Sequence, residues 1–334
     1  SIPVFGDSTF IMMNPISKSL AFKGKVPYAA TTVALCLGAT ASHSLVPPTP
    51  GPIATAGILN ADLGLVIFWG LIISVITLVP SYFFVKKFVT RIPLEPKFAT
   101  DELEKPASKA PSAFQSFLPI VLPLILIVLA SIAKYPTLPF GDNLFTTTIN
   151  FIGSPVIALL IGAFLSFALP EKFDRTVLSS TGWIGDSLKI AAPVILITGA
   201  GGVFGKMLQN SGIADLVNAS MSGGANLGIF LPFLIAFALK TAQGSSTVAM
   251  ITTASIVAPL LPTLGLDTDI LRVFASLSIG AGAIAISHAN DSFFWAMTQL
   301  SGLTIKQGNQ SHSLGTLIMA VTAILVIYVI TFFV

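Results

Sequence analysis

Residues 227–262 read LGIFLPFLIAFALKTAQGSSTVAMITTASIVAPLLP. Two apolar arms flank a polar centre at 240–246, which holds Lys240, Gln243, Gly244, Ser245 and Ser246. The first arm is about 15 residues long, short of the roughly 20 that a helix needs to cross the hydrocarbon core. Two short arms meeting at a Gly-Ser tip predict a re-entrant hairpin. Backbone that leaves the helix at membrane depth is tolerated only where protein or a watery cavity surrounds it. The stretch therefore places a polar site inside a membrane protein, and the rest of the chain must supply its walls.

Composition agrees. The chain has 334 residues, of which 54% are hydrophobic and 9% charged, and its mean hydropathy is +0.89. A soluble domain carries about 25% charged residues. Apolar blocks at 118–133, 155–169, 188–203 and 314–334 carry almost no charge. Membrane segments are expected at about 27–46, 64–85, 115–133, 152–169, 187–208, 271–297 and 313–334, with the hairpin at about 227–262. This is an all-α polytopic membrane protein. The net charge of +3 is spread over short loops, which fits membrane topology and gives no reason to expect a nucleic-acid partner. The single cysteine, Cys36, lies in an apolar segment and reads as a small packed hydrophobe. No disulfide or cysteine metal site is open to one cysteine.

The longest polar stretch, 86–114, holds Lys86, Lys87, Arg91, Lys97, Lys105 and Lys109. It divides the chain into 1–85 and 115–334, and the positive-inside rule makes it cytoplasmic. The parity of the other loops agrees. The loop 18–25 carries three lysines and falls inside, whereas 53–62 carries neither Lys nor Arg and falls outside. Segment 171–175 falls inside, 210–226 outside and Lys306 inside. The C-terminus is thereby expected outside.

Two distant stretches resemble each other. Gly6-Asp7-Ser8-Thr9 matches Gly244-Ser245-Ser246-Thr247, and each is followed by a small-residue helix ending in Ser-His, Ser42-His43 and Ser287-His288. After each Ser-His the helical pattern is disturbed, by Pro47-Pro48-Thr49-Pro50-Gly51-Pro52 and by Asn290-Asp291. Internal symmetry with broken helices in matching places is the sequence pointer to a secondary transporter. The expected architecture is an inverted repeat with re-entrant hairpins and broken helices. The first repeat, 1–85, would hold half a hairpin and two spans, and 115–334 would be the second repeat. On this reading the N-terminal part is missing, and the repeat implies roughly 120 further residues there. The truncated chain is then expected to be inactive alone.

Four motifs carry a family resemblance. They are Ser42-His43-Ser44-Leu45-Val46-Pro47-Pro48-Thr49-Pro50-Gly51-Pro52, Thr198-Gly199-Ala200-Gly201-Gly202-Val203-Phe204, Gln243-Gly244-Ser245-Ser246-Thr247-Val248-Ala249 and Ser287-His288-Ala289-Asn290-Asp291-Ser292-Phe293-Phe294-Trp295. In this order they resemble the gluconate:proton symporter (gluconate permease) family over nearly the whole chain. Many members have His where Thr49 stands, and their acidic position near Asp7 has a different context. The resemblance implies a multi-pass protein of the bacterial inner membrane. It also implies symport of gluconate or a related small sugar acid with protons and no bound cofactor. The partners expected are the organic anion and membrane lipid, and a homo-oligomer is compatible with the sequence.

The candidate site follows from these segments. Ser8 and Thr9 at one tip, and Ser245, Ser246 and Thr247 at the other, offer hydroxyls and helix starts that suit a carboxylate. Their alternative role is helix packing. Thr49, Gln243 and Asn290 stand in the motifs and join the substrate-binding candidates. Lys240, charged in an apolar arm, is a functional candidate by its position. It can attract the carboxylate or neutralise an acid between turnovers, and the competing reading is a lysine snorkelling to an aqueous edge. For proton coupling the candidates are Asp291, Asp7, His43 and His288, because a carrier needs a group whose protonation changes with the side of access. For each Asp the alternative is a permanently charged helix cap, and for each His a hydrogen-bonded linker. His43, His288 and His312 lack a metal-ligand spacing, so no metal is expected. Gly199-Ala200-Gly201-Gly202 is not a dinucleotide fingerprint, since no βαβ context exists. Sodium coupling and an anion channel remain open as rival readings. A membrane enzyme is disfavoured, because no convincing Ser–His–Asp set is present.

Overall fold

The computed structural model describes residues 6–94, 112–133, 143–169 and 228–334, with Gly141, 179–182 and scattered positions at 184–207. Most of the expected span 187–208 and most of the linker lie outside the described residues, as do the loop 210–226 and all of Gly199–Gly202. The described chain is helical, with no strand among the described residues. Three stretches are long and apolar enough to cross a membrane: Tyr28–Ile58, Leu63–Arg91 and Ile305–Thr331.

The first part runs α1 (Gly6–Gly24), α2 (Tyr28–Leu45), α3 (Pro50–Ile58) and α4 (Leu63–Lys87). The stretch Tyr28–Ile58 is broken between α2 and α3, where the proline run removes backbone donors. Thr49 closes the break: its Oγ1 donates to the carbonyls of His43 (2.7 Å) and Val46 (3.1 Å). Asp62 caps α4 by accepting the Leu65 N–H at 2.8 Å.

Beyond the linker come α5 (Ala113–Ala133), α6 (Leu144–Ile152) and α7 (Pro155–Ser166). One span was expected over 152–169. The structure places the 12-residue α7 within that segment and bends the chain by 65° at its start, where the short α6 precedes it. The cause is local: α6 ends at Gly153, and Ser154-Pro155 starts a new helix with Pro at its first position, where its missing N–H costs nothing.

The hairpin is formed by α8 (Phe230–Gln243) and α9 (Ser246–Val257), 14 and 12 residues long. At 1.5 Å per residue each arm reaches only about 20 Å, against about 30 Å of hydrocarbon. The two arms pack on each other. Then α10 (Asp269–Ile284) stops short, residues 285–291 run irregularly, and α11 (Ser292–Ser301) resumes. In that break Ile286 has φ +27°, an outlier for a β-branched residue. The chain ends in α12 (Ile305–Gly308), a π-helical turn (Asn309–Ser313) and α13 (Leu314–Thr331).

The centre is small-residue packing. Val273, Phe274, Ala275, Leu277, Ile279, Ala281, Ala283 and Ile284 of α10 are all buried. A Cβ on Gly280 would lie 2.4 Å from the Ser44 carbonyl oxygen, so glycine is what lets α10 approach α2. Phe68, Val75, Val79, Phe83, Val321, Leu325 and Val329 on α4 and α13 remain exposed. Such faces suit lipid, where an apolar side chain need not be buried by protein.

The arms pack crosswise. α1 lies on α11, the second arm of the later broken helix, and α9 lies on α3, the second arm of the earlier one. The hairpin tip and both helix breaks are thereby brought into one region.

Candidate functional site

The site is built where the hairpin tip meets the break after α10. Helix α8 ends at Gly244, whose φ is +88°, a conformation glycine adopts without a Cβ clash. A Cβ there would also sit 2.1 Å from the Asn290 carbonyl oxygen. Glycine thus permits the main chain of the tip to rest on the main chain of the break. Ser245 then caps α9, accepting the Val248 N–H at 3.3 Å.

Lys240, one turn before the tip, is 1% exposed. Its Nζ donates to the Gly244 carbonyl at 2.6 Å and to Asp291 Oδ2 at 2.6 Å. The snorkelling alternative does not describe this lysine, which points into the protein toward an acid 51 residues away. Asp291 caps α11, its Oδ1 accepting the Phe293 N–H at 2.9 Å. Its Oδ2 also accepts from the Ser287 hydroxyl at 2.5 Å. Lys240 and Asp291 are thus desolvated together, and each is balanced only while the other is in place.

Around this pair lies a cavity of about 370 Å³. Among the expected site residues it is lined by Asp7, His43, Lys240, Gln243, Ser245, Ser246, Thr247, Asn290 and Asp291. The chain starts of α9 and α11 open onto it through Ser246 and Ser292, so two positive helix ends face the same space. Thr49 is fully buried in its own helix break, and it does not line the cavity. His288 stands behind the wall with Nε2 3.2 Å from the Thr241 carbonyl, which also accepts from the Asn290 amide at 2.7 Å. Thr9 is buried on α1, and no hydrogen-bond partner meets its hydroxyl. The side chain of Ser8 lies outside the described residues.

Sequence reasoning missed Thr40, Ser287, Ser292 and Phe293, all of which line the cavity. Ser287 was legible: it stands four residues before Asp291 in a repeated Ser-His, and a hydroxyl at that offset reaches the carboxylate. Phe293 carried no such signal, since an aromatic residue in an apolar helix reads as packing. Its ring packs edge-on against Phe10 of α1, with centroids 6.3 Å apart.

A pair of opposite charges sealed beside a polar cavity can do one thing that neither charge does alone. An incoming carboxylate can compete with Asp291 for Lys240. Among the described residues no group of His, Cys, Asp and Glu is arranged to hold a metal ion.

Comparison with known proteins gives the context. The chain is 34% identical over 342 residues to the inner membrane permease YgbN of Escherichia coli, covering 97% of this chain and 73% of that protein. It is 30% identical to the high-affinity gluconate transporter of the same organism, over 95% of this chain and 72% of that one. Identity to the E. coli D-serine transporter DsdX is 30%, over 99% and 74%. The chain spans 64% of the length of an uncharacterized permease of Haemophilus influenzae to which it is 30% identical. The relatives are permeases and not enzymes. The model of the GntP family permeases matches residues 1–333, and the chain belongs to that family.

Proposed function

We propose that this permease carries a sugar acid or related small hydroxycarboxylate across the bacterial inner membrane together with a proton, and that Lys240 and Asp291 couple the two. The observation that carries the reading is the buried ion pair at 2.6 Å on the wall of the polar cavity. While Asp291 is ionised, Lys240 is engaged. Protonation of Asp291 releases the lysine for a substrate carboxylate. Anion and proton then enter together, and the charge of the site is the same before and after loading. A loaded site that gains no net charge can be moved through a low-dielectric interior without a new Born penalty.

The compounds for which these relatives are named, gluconate and D-serine, share a carboxylate and at least one hydroxyl. Lys240 suits the carboxylate. The hydroxyls of Ser245, Ser246 and Thr247, with the amides of Gln243 and Asn290, suit the polyol. In the same reading 1–85 and 115–334 are inverted repeats. The crosswise packing of α1 on α11 and of α9 on α3 supports this. The linker 86–114 is then cytoplasmic and the C-terminus outside.

The test is uptake by the full-length protein in proteoliposomes, with gluconate, glycerate, fructuronate and D-serine compared under a pH gradient and under a sodium gradient. Proton-coupled transport expects accumulation driven by the pH gradient. Asp291→Asn should abolish that accumulation while substrate still exchanges across the membrane. Accumulation that follows sodium alone would replace the proton with Na⁺. Accumulation by Asp291→Asn equal to that of the unaltered protein would remove Asp291 from the coupling.

A further inference from the structure

His312 takes no part in the site described so far. It lies in the π-helical turn Asn309–Ser313 and is fully buried. Neither ring nitrogen has a hydrogen-bond partner. A buried polar atom left without a partner costs about 1–3 kcal/mol, and native proteins leave few of them. π-helical turns occur frequently at functional sites.

Two connections tie this turn to the ion pair. The first is a ring contact: Phe293, on the cavity wall, packs edge-on against the imidazole with centroids 5.4 Å apart. The second is a chain of hydrogen bonds. Ser313, next to His312, donates its hydroxyl to the Ser287 carbonyl. Thr316 accepts the Ser287 N–H at 3.2 Å, and the Ser287 hydroxyl holds Asp291. The elements packed on this turn carry other titratable groups: Tyr28, Cys36 and His43 on α2, Lys306 on α12 and Tyr328 on α13.

We propose that His312 is the proton acceptor that serves Asp291. The proposal rests on the proton-coupled reading above. In the loaded site Asp291 holds the proton and Lys240 holds the substrate carboxylate. When the Phe293 ring turns aside, the O–H bond of Asp291 breaks and an N–H bond forms on the imidazole. The carboxylate left behind recaptures Lys240, which displaces the substrate. The imidazolium then gives its proton to water on the release side, so one proton enters and one leaves per anion. His–Asp chains of this kind are how membrane carriers move protons through an interior that excludes water.

The experiment uses the full-length transporter in proteoliposomes with gluconate as the probe. Accumulation under a pH gradient, exchange at equal pH and the pH profile of both are measured. In His312→Gln, accumulation should fall by about 10²-fold, the lower range for a positioned proton acceptor, while exchange falls by less than about threefold. Phe293→Ala, which removes the ring between cavity and imidazole, should raise substrate-free proton entry by about tenfold or more, and adding His312→Gln should abolish that rise. An equal loss of accumulation and exchange in His312→Gln would give His312 a packing role and overturn the proposal. So would an unchanged pH profile, and so would a Phe293→Ala protein without the proton leak, a result that does not depend on His312→Gln folding. If the unaltered transporter takes up no protons with gluconate, the coupled reading itself fails. If it does and His312→Gln behaves alike, only the role of His312 is lost.

Discussion

Breaking the Lys240–Asp291 pair from one side should be far more damaging than removing both charges. In Lys240→Met the Asp291 carboxylate keeps the Ser287 hydroxyl and the Phe293 N–H but, with its side chain only 11% exposed, loses its counter-charge. Stranding one partner of a buried pair costs about 3–5 kcal/mol. Asp291→Asn strands the ammonium instead, leaving it only the Gly244 carbonyl, and belongs in the same range. The double variant loses both charges at once. Asn retains the helix-capping ability of Asp, and Met fills the volume of the lysine stem. The double variant should therefore lie within about 1–2 kcal/mol of the unaltered protein, giving a coupling energy of about 4 kcal/mol or more, above the range of about 0.5–3 kcal/mol usual for residues in contact. The assay is thermal or denaturant unfolding of the four proteins in one detergent at one pH. A double variant as unstable as the sum of the singles would mean that the two charges do not meet, and the site would have to be rebuilt without an ion pair.

Two further substitutions test the geometry around the pair. Gly244→Ala should destabilise by more than the roughly 1–2 kcal/mol of left-handed strain, because its methyl would meet the Asn290 carbonyl oxygen at 2.1 Å. Uptake should be lost as the tip withdraws from the break, and a Gly244→Ala protein of normal stability and uptake would contradict the contact. Gly280→Val should cost about 1–3 kcal/mol through overpacking against Ser44, read from the same unfolding series. A neutral effect there would mean that α10 and α2 stand further apart than the 2.4 Å approach implies.

Much of the architecture could be read from local cues. The interruption at Lys240 and Gly244 marked the hairpin, because polar and glycine residues inside an apolar run have few other uses. The prolines after His43 marked one helix break and Asn290-Asp291 the other. The expected span 152–169 starts at the bend, but the short helix α6 before it was not foreseen, since Thr146, Thr147, Thr148 and Asn150 interrupt its apolar pattern. The partnership of Lys240 with Asp291 was out of reach. Each residue could be flagged as a charge in the wrong solvent, but a contact between residues 51 apart depends on how α8 and α11 are packed. Thr49 shows the converse limit. Its place in the motif suggested a ligand, while the local chain needs its hydroxyl to satisfy the His43 carbonyl. His312 read as a solitary ring because the π-helical turn that holds it has no sequence signature.

The contact between Gly244 and Asn290 is made by main-chain atoms. Side chains at the neighbouring positions can therefore change without loosening it. Ser246 and Thr247 can be exchanged for residues that fit another hydroxylated acid, while Ser245 keeps the cap of α9, Asn290 keeps the Thr241 carbonyl, and the scaffold beneath them keeps Lys240 opposite Asp291. On the proposed proton-coupled reading, selectivity and energy coupling then fall to separable parts of the same few residues. On that reading a change of cargo would require new side chains at the tip and no new coupling pair.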